Sequence, residues 1–423
     1  MRTISLALAA LVVALVAASG APAGAAPGQY IVVAKAGVDA TALAREHAHA
    51  DGALVSHVYS HALHGYAAQL SAAGLAAVQA DARVAYVAED RSVTIAAPAP
   101  AAQVLPTGVD RIDGDLSSAR SGDGSGATNI NVAVLDTGID IHHPDLNVVG
   151  GVSCINSAAF DDGNGHGTHV SGTIAAKDDG IGVVGVAPGA RLWAVQVLNS
   201  AGSGTFASVI CGVDWVTAHA AELGIKVANM SLGGGGSDDG NCGLTNHDPF
   251  HQAICNSVAA GVTYVVAAGN SADDEGRHVP AAYDEALTVT AVADFDGKPG
   301  GLGSPTCRAD EDDSNANFSN FAVSAADQAH TIAGPGVCIL STWKNGGYNT
   351  ISGTSMATPH LAGTAALCIA SGRCKGKPAS IIKQLRNDAA AFNNANPGYG
   401  FVGDPLRPIA GKYFGFLVRA GLY

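Results

Sequence analysis

Apolar positions fall into three successive patterns along the chain. Behind Arg2, residues 4–18 form an apolar run, interrupted only by Ser5, that is short for a bilayer span, and Ala23-Gly24-Ala25 follows as a small-x-small pattern. A positive start, an apolar centre and a small-residue end predict a secretory signal peptide over residues 1–25 and an exported protein. An uncleaved anchor is the alternative reading. The second pattern predicts strands at 29–35 (QYIVVAK), 53–59, 66–70 and 84–89, with helices at 40–50 and, behind the cap Ser71, as far as residue 80. The order β-α-β-β-α-β is that of a small ferredoxin-like α+β unit. It ends in Ala96-Ala97-Pro98-Ala99-Pro100-Ala101, an extended small-residue stretch suited to a linker and to proteolytic cutting. The third pattern starts at residue 102. Short β-branched runs at 130–135 (INVAVL), 191–198, 227–230, 263–267 and 288–293 alternate with helical stretches at 166–176, 206–221, 248–260 and 354–370. Such alternation predicts an α/β fold, with a mainly parallel sheet covered by helices on both faces. The chain thus divides into residues 1–25, 26–101 and 102–423.

Composition narrows the function. Aromatics make up only 5% of the 423 residues, so the core must be built from Ala, Val, Ile and Leu. Lys and Arg number 22 against 36 Asp and Glu, a net charge of −14. That balance argues against a nucleic-acid groove and against a polybasic membrane patch. All 8 cysteines lie between Cys154 and Cys374, and none forms a CxxC pair. An even number in an exported chain predicts disulfides. Proximity suggests Cys242–Cys255, Cys307–Cys338 and Cys368–Cys374, leaving Cys154 with Cys211, although spacing does not determine connectivity.

Three motifs stand at element junctions. Asp136-Thr137-Gly138 directly follows the INVAVL strand; His166-Gly167-Thr168-His169 opens a helix after a glycine-rich loop; Gly353-Thr354-Ser355-Met356-Ala357 opens the long Ala-rich helix. Taken singly, each reads equally as a turn, a cap or a structural histidine. Together they supply an acid, a base and a hydroxyl. A serine hydroxyl needs an imidazole to take its proton, and the imidazole needs a carboxylate to hold its tautomer. The chain order Asp, His, Ser differs from the Ser, Asp, His order of α/β-hydrolases, and Ala357 stands where their Gly-x-Ser-x-Gly turn needs glycine.

These motifs, with SLGG at Ser231, AAGN at Ala267 and GTSMATPH at Gly353, resemble those of the subtilisin-like serine proteases, the subtilases. The resemblance covers nearly the whole chain after the signal. It implies a secreted serine endopeptidase that works through an acyl-enzyme and is self-processed from a proenzyme. Ser355 would be the nucleophile, His166 the general base and Asp136 its orienting carboxylate. Asn270 and the Ser355 backbone N–H would form the oxyanion hole, and His169 would be structural. Substrate strands would lie along Gly202-Ser203-Gly204 and Ser231-Leu232-Gly233. Leu232, Gly233, Ala268 and Gly269 would wall a primary pocket, and His278 is not placed with assurance by its loop. No acidic residue marks that pocket, which points to broad specificity with apolar or small side chains preferred.

The resemblance also implies a structural calcium ion and no organic cofactor. Its ligands would come from Gln103, Asp145, Asp179, Ile181 and Val183, with Lys177 giving only its carbonyl; hard oxygen donors suit Ca²⁺. The stretches 64–70 (HGYAAQL) and 83–90 (RVAYVAED) resemble the family's prosegment, an intramolecular chaperone and inhibitor cut near Ala101 and Ala102. Expected partners are polypeptide substrates and this prosegment, on a monomer that binds neither nucleic acid nor membrane. A narrow-specificity processing protease and an inactive binding protein are the alternatives. The prosegment also holds His47, His49, His57, His61 and His64, five of the 15 histidines. Acid could charge them and loosen inhibition, with His61 and His64 as candidates and His47 and His49 on a helix surface.

Overall fold

Alternation along the first strand builds two apolar layers. In the computed structural model, which describes residues 28–94, 104–155 and 159–423, β1 (Gly28–Ala34) sends Val32 and Ala34 to one face and Ile31 and Val33 to the other. The expected signal peptide, the linker with its cutting site, and Gln103 lie outside the described residues. Helix α1 (Ala40–Ala50) is capped by the Asp39 side chain, which accepts the N–H groups of Thr41 and Ala42. Strands β2 (Leu54–Tyr59) and β3 (Gly65–Leu70) follow, then α2 (Ala72–Ala80) behind the cap Ser71, and β4 (Val84–Glu89). The four strands form an antiparallel sheet in the order β2-β3-β1-β4. Val32, Ala34 and Tyr66 pack with Leu43 and Val78 of the two helices, while Ile31, Val33 and Tyr59 pack with Phe206 and Phe250 of the larger unit. His47 differs from its expected surface position. It is buried, with one ring nitrogen on the Tyr66 hydroxyl and the other 3.1 Å from Asp81. A polar residue on the inner face of a short helix is tolerated because both its nitrogens find partners.

Past β5 (Ser92–Thr94) and α3 (Thr107–Arg111), the larger unit runs β6 (Asn131–Asp136), β7 (Val148–Ser153), α4 (His166–Ala175), β8 (Arg191–Gln196), β9 (Ser203–Thr205), α5 (Phe206–Leu223), β10 (Ile225–Met230) and β11 (Gly234–Gly235). It continues through α6 (Pro249–Ala259), β12 (Thr263–Ala267), β13 (His278–Val279), β14 (Leu287–Ala293), β15 (Ser314–Asn315), α7 (Ala325–Gln328), β16 (Thr331–Pro335), the hairpin β17 (Ile339–Trp343) and β18 (Gly347–Ile351), α8 (Thr354–Ala370) and α9 (Pro378–Ala395). Strands β16-β14-β12-β10-β6-β8-β7 form one parallel path, and β15 adds antiparallel to β14. Along β6, Val132 and Val134 join the layer of α4 and α8, whereas Ala133 and Leu135 join that of α5 and α6. Both faces are covered, so the middle of the strand, Val132 to Leu135, is apolar on both sides, as a parallel sheet requires.

The α/β class with helices on both faces is therefore observed, and expected element bounds shift by at most two residues. The sequence reading left out β7, β16, the hairpin and α9. In β7 the reason is visible: Gly150 and Gly151 are needed because a Cβ there would stand 2.6 Å from the Trp193 ring and 2.0 Å from the Ala194 carbonyl oxygen, and paired glycines look like a loop. The disulfides are Cys154–Cys211, Cys242–Cys255, Cys307–Cys338 and Cys368–Cys374, the pairs that proximity suggested.

Candidate active site

Four adjacent parallel strands deliver the site residues at their carboxyl ends. β6 ends on Asp136; β10 runs into Ser231-Leu232-Gly233; β12 runs into Ala268, Gly269 and Asn270; β8 leads to Gly202 and β9. The connection after β6 builds β7 and β8 on one side, and α5 then carries the chain across to β10 on the other. The crevice at such a reversal is where open α/β sheets bind ligands.

His166 is the first residue of α4, and its Nδ1 lies 2.8 Å from Asp136 Oδ1. Both side chains are fully buried. A carboxylate can only accept here, so Nδ1 carries the hydrogen and Nε2 is left as the base. Nε2 has no hydrogen-bond partner among the described residues. The turn before His166 demands glycine: Gly165 has φ +119°, and a Cβ would fall 2.3 Å from the Trp343 ring. Asp162, which the sequence reading passed over, organises this loop. It accepts from Thr137 Oγ1, Asn164 N and Gly165 N on one oxygen and from Thr168 N and Oγ1 on the other. Burial pushes its carboxyl upward, against the pull of these donors. The Asp-Gly-Asn-Gly run is the turn signal that could have found it. His169 lies apart, its Nε2 donating to the Ile339 and Asn349 carbonyls, and burial pushes its pKa down to about 3.

Ser355 is the second residue of α8, which packs alongside α4. Its Oγ donates to the Ser231 carbonyl at 3.1 Å rather than to the imidazole. In return Ser231 Oγ donates to the Ser355 carbonyl at 2.8 Å and accepts from Asn229. Asn270 Oδ1 accepts from both the N–H and the hydroxyl of Thr354, at 2.8 and 2.9 Å. Because a backbone N–H can only donate, this contact fixes the amide orientation and turns Nδ2 outward. A Cβ built on Gly353 would stand 3.4 Å from Asn270 Nδ2 and 3.6 Å from Ser355 N, so two N–H groups converge on one small space. Thr354 and Asn229 were not anticipated, because their role lies in contacts across the sheet.

Leu232, Gly233, Ala268, Gly269, Asn270 and Ser355 line one cavity of about 360 Å³. His278 also lines it, the only ionisable side chain among the described residues that do so. Gly202, Ser203 and Gly204 stand on the other flank, where β5 pairs antiparallel with β9 through Thr94 with Ser203 and Val93 with Gly204. A Cβ on Gly204 would meet the Val197 carbonyl at 2.4 Å, so the edge stays bare. Other contacts dock the N-terminal unit. Asp90 accepts the Ala207 N–H at the start of α5, and Asp214 on α5 accepts the N–H groups of Ser60, His61 and Ala62. The His61 ring lies 3.3 Å from Asp214 of the larger unit, and His64 is exposed.

Asp145 is fully buried. Its carbonyl accepts from Lys177 N and its Oδ2 from Val183 N, both at 2.9 Å, so the loop holding Asp179 and Ile181 closes over it. Oδ1 has no partner among the described residues, and burial pushes the carboxyl up to about 6. The Lys177 ammonium turns away to the Pro144 carbonyl. An orphaned buried carboxylate oxygen within a tight loop fits an oxygen-liking cation.

Comparison with known proteins agrees with this geometry. A family model described as the subtilase family matches residues 127–402, and one described as peptidase inhibitor I9 matches residues 29–96. The chain is 38% identical over 290 residues to "Subtilisin DY" of Bacillus licheniformis, covering 68% of this chain and 90% of that one. It is 36% identical over 329 residues to "M-protease" of Shouchella clausii, covering 78% and 74%. A solved structure, "Crystal structure of a cold adapted subtilisin-like serine proteinase", superposes with a TM-score of 0.54 at 32% identity and covers 75% of this chain and 98% of that one. No helix among the described residues is long and apolar enough to cross a membrane. A crevice at the sheet's reversal, in a chain whose two units match these two families, leads to one assignment: the chain belongs to the subtilase family and is a serine endopeptidase preceded by an I9-type inhibitor unit.

Proposed function

We propose that the protein is exported behind a signal peptide at residues 1–25, that residues 26–101 are a prosegment, and that residues 102–423 are the mature peptidase. The buried Asp136–His166 hydrogen bond, which leaves Nε2 free as a base, carries the catalytic reading. Ser355 Oγ turns from the Ser231 carbonyl towards Nε2, gives up its proton and attacks the substrate carbonyl. Asp136 stabilises the imidazolium that forms. The oxyanion is held by Asn270 Nδ2 and Ser355 N–H. Collapse expels the amine, which takes the proton from Nε2; water, deprotonated by Nε2, then attacks the acyl-enzyme, the carboxylic acid leaves, and the proton returns from Nε2 to Ser355 Oγ. Substrate lies as a strand against Gly202-Ser203-Gly204 and Ser231-Leu232-Gly233, on the edge that β5 occupies in the proenzyme. Among the described residues no carboxylate lines the pocket, which favours apolar or small side chains over basic ones. A fluorophosphonate probe is expected to label Ser355 of the mature enzyme and to fail with His166→Ala. Labelling of another serine, read by peptide mass spectrometry, would overturn the assignment.

We also propose calcium at Asp145, with the Lys177, Asp179, Ile181 and Val183 loop around it. The ion's contribution is structural: positive charge against a buried carboxylate. The sign of its linkage can be stated. Without the ion, a carboxyl held at about 6 binds its proton more tightly folded than unfolded. The apo protein therefore loses stability as pH rises from about 4 through 6, and a bound cation reverses that loss. At pH 8 and hundredfold excess over Kd, calcium should stabilise by about 2.7 kcal/mol. Asp145→Asn should raise Tm in chelator and lower it relative to the parent in calcium. A Tm indifferent to calcium after long chelation, in both proteins, would exclude the site.

A further inference from the structure

We propose that Asp238, Asp239 and His251 form a second cation site, for one zinc-like divalent ion, in the loop joining the primary pocket to α6. His251 lies in the first turn of α6, and its side chain is fully buried. Its Nε2 lies 2.8 Å from Glu285 Oε2, and the ring stacks on Tyr283 at 4.0 Å. A carboxylate accepts, so Nε2 carries the hydrogen and Nδ1 has a lone pair to offer. Nδ1 has no hydrogen-bond partner among the described residues; it faces Asp238 Oδ1 and Asp239 Oδ1, each 3.6 Å away. That gap is too long for a hydrogen bond. It suits a shared metal: ligand atoms about 2.1 Å from a tetrahedral ion stand roughly 3.4 Å from one another. Glu285 then plays the part of the outer carboxylate that fixes the tautomer of a metal-ligating histidine.

The oxygens are held in place without the ion. Asp238 accepts N–H groups from Gly240 and Asp284, and Asp239 accepts four, from Asn241, Gly243, Thr245 and Asn246. The Cys242–Cys255 disulfide ties this loop to α6. Among the described residues, no Lys or Arg pairs with Asp238, Asp239 or Glu285. Mixed imidazole and carboxylate donors suit zinc better than calcium. Asp238, 16% exposed, leaves an entry side where water can complete the coordination. The rival occupant is a proton. Burial opposes charge on His251, but Glu285 and Asp238 outweigh it and raise its pKa in the metal-free protein. A metal at this point would brace the loop between Gly235, at the pocket, and His247, on which Tyr86 of the N-terminal unit stacks.

The test uses the full chain carrying Ser355→Ala, stripped of metal and then held in excess calcium. Zinc chloride titrated by calorimetry should bind at this site, with an anomalous peak at the zinc edge beside His251 Nδ1 in crystals. Asp238→Asn should remove one zinc equivalent, and Glu285→Gln should weaken that equivalent by about 10- to 100-fold. Zinc held elsewhere, for instance by His166, would be unchanged in Asp238→Asn. An unchanged stoichiometry in Asp238→Asn, or no anomalous peak beside Nδ1 in the parent, overturns the proposal. So does an NMR spectrum showing both His251 nitrogens protonated in excess zinc. The anomalous map and the spectrum need no variant at the site, so they decide even where Asp238→Asn fails to fold.

Discussion

Ser355→Ala should accumulate as one uncut chain, with prosegment and catalytic unit still joined and no turnover of peptide esters. The expected loss in kcat is roughly 10⁶, the magnitude that removing the nucleophile costs in a subtilisin. The variant should fold. Ser355 Oγ makes a single hydrogen bond, to the Ser231 carbonyl, and the reciprocal bond from Ser231 Oγ reaches a backbone oxygen that alanine keeps. The linker sequence is rich in Ala and Pro, and β5, just before it, pairs with β9, the edge proposed for substrate, so under the proposed function the chain's own active site is the agent expected to cut it. Intact mass after purification from a host without extracellular proteases checks the outcome. Normal maturation of this variant would sink both the nucleophile and the self-processing.

Asn270→Leu, nearly the same shape, should lower kcat by about 10²–10³ and leave KM close to the parent's, a size taken from oxyanion donors in subtilisins. The reasoning is differential. Nδ2 faces a space that a ground-state carbonyl fills poorly and a tetrahedral oxyanion fills well. Leucine also removes the acceptor for Thr354, whose N–H and hydroxyl both end on Asn270 Oδ1. Thr354→Val separates the two effects: it deletes only the hydroxyl and should lose less than Asn270→Leu. Steady-state kinetics on a peptide anilide reads the split between kcat and KM. A loss confined to KM, or a kcat within roughly tenfold of the parent, would remove Asn270 from the oxyanion hole.

Most elements were legible in the sequence because their signals are local. Asp39 and Ser71 announce α1 and α2 by capping, and the INVAVL run announces a strand buried on both faces. The apolar pattern placed Asp136, His166 and Ser355 at element junctions, and their chain order set them apart from an α/β-hydrolase triad. The losses have physical causes too. β7 hid behind glycines that make room for a tryptophan on its neighbour. His47 was placed outside because a helix pattern does not show that Tyr66 and Asp81 await it across the sheet.

What the sequence by itself determined was the order of strands and helices, the candidate triad and the family resemblance, since capping, turn chemistry and short motifs act over a few residues. Tertiary structure alone decided which distant groups orient the site. Asp162 gathers a loop around His166, Thr354 turns the Asn270 amide, and Ser231, just past the end of β10, braces Ser355 on α8. It alone also showed Asp145 with an orphaned oxygen, and His251 facing two aspartates across a gap of 3.6 Å. These are facts of distance between residues far apart in the chain. They become visible only when the parallel sheet brings its strand ends together and burial makes every unpartnered polar atom costly.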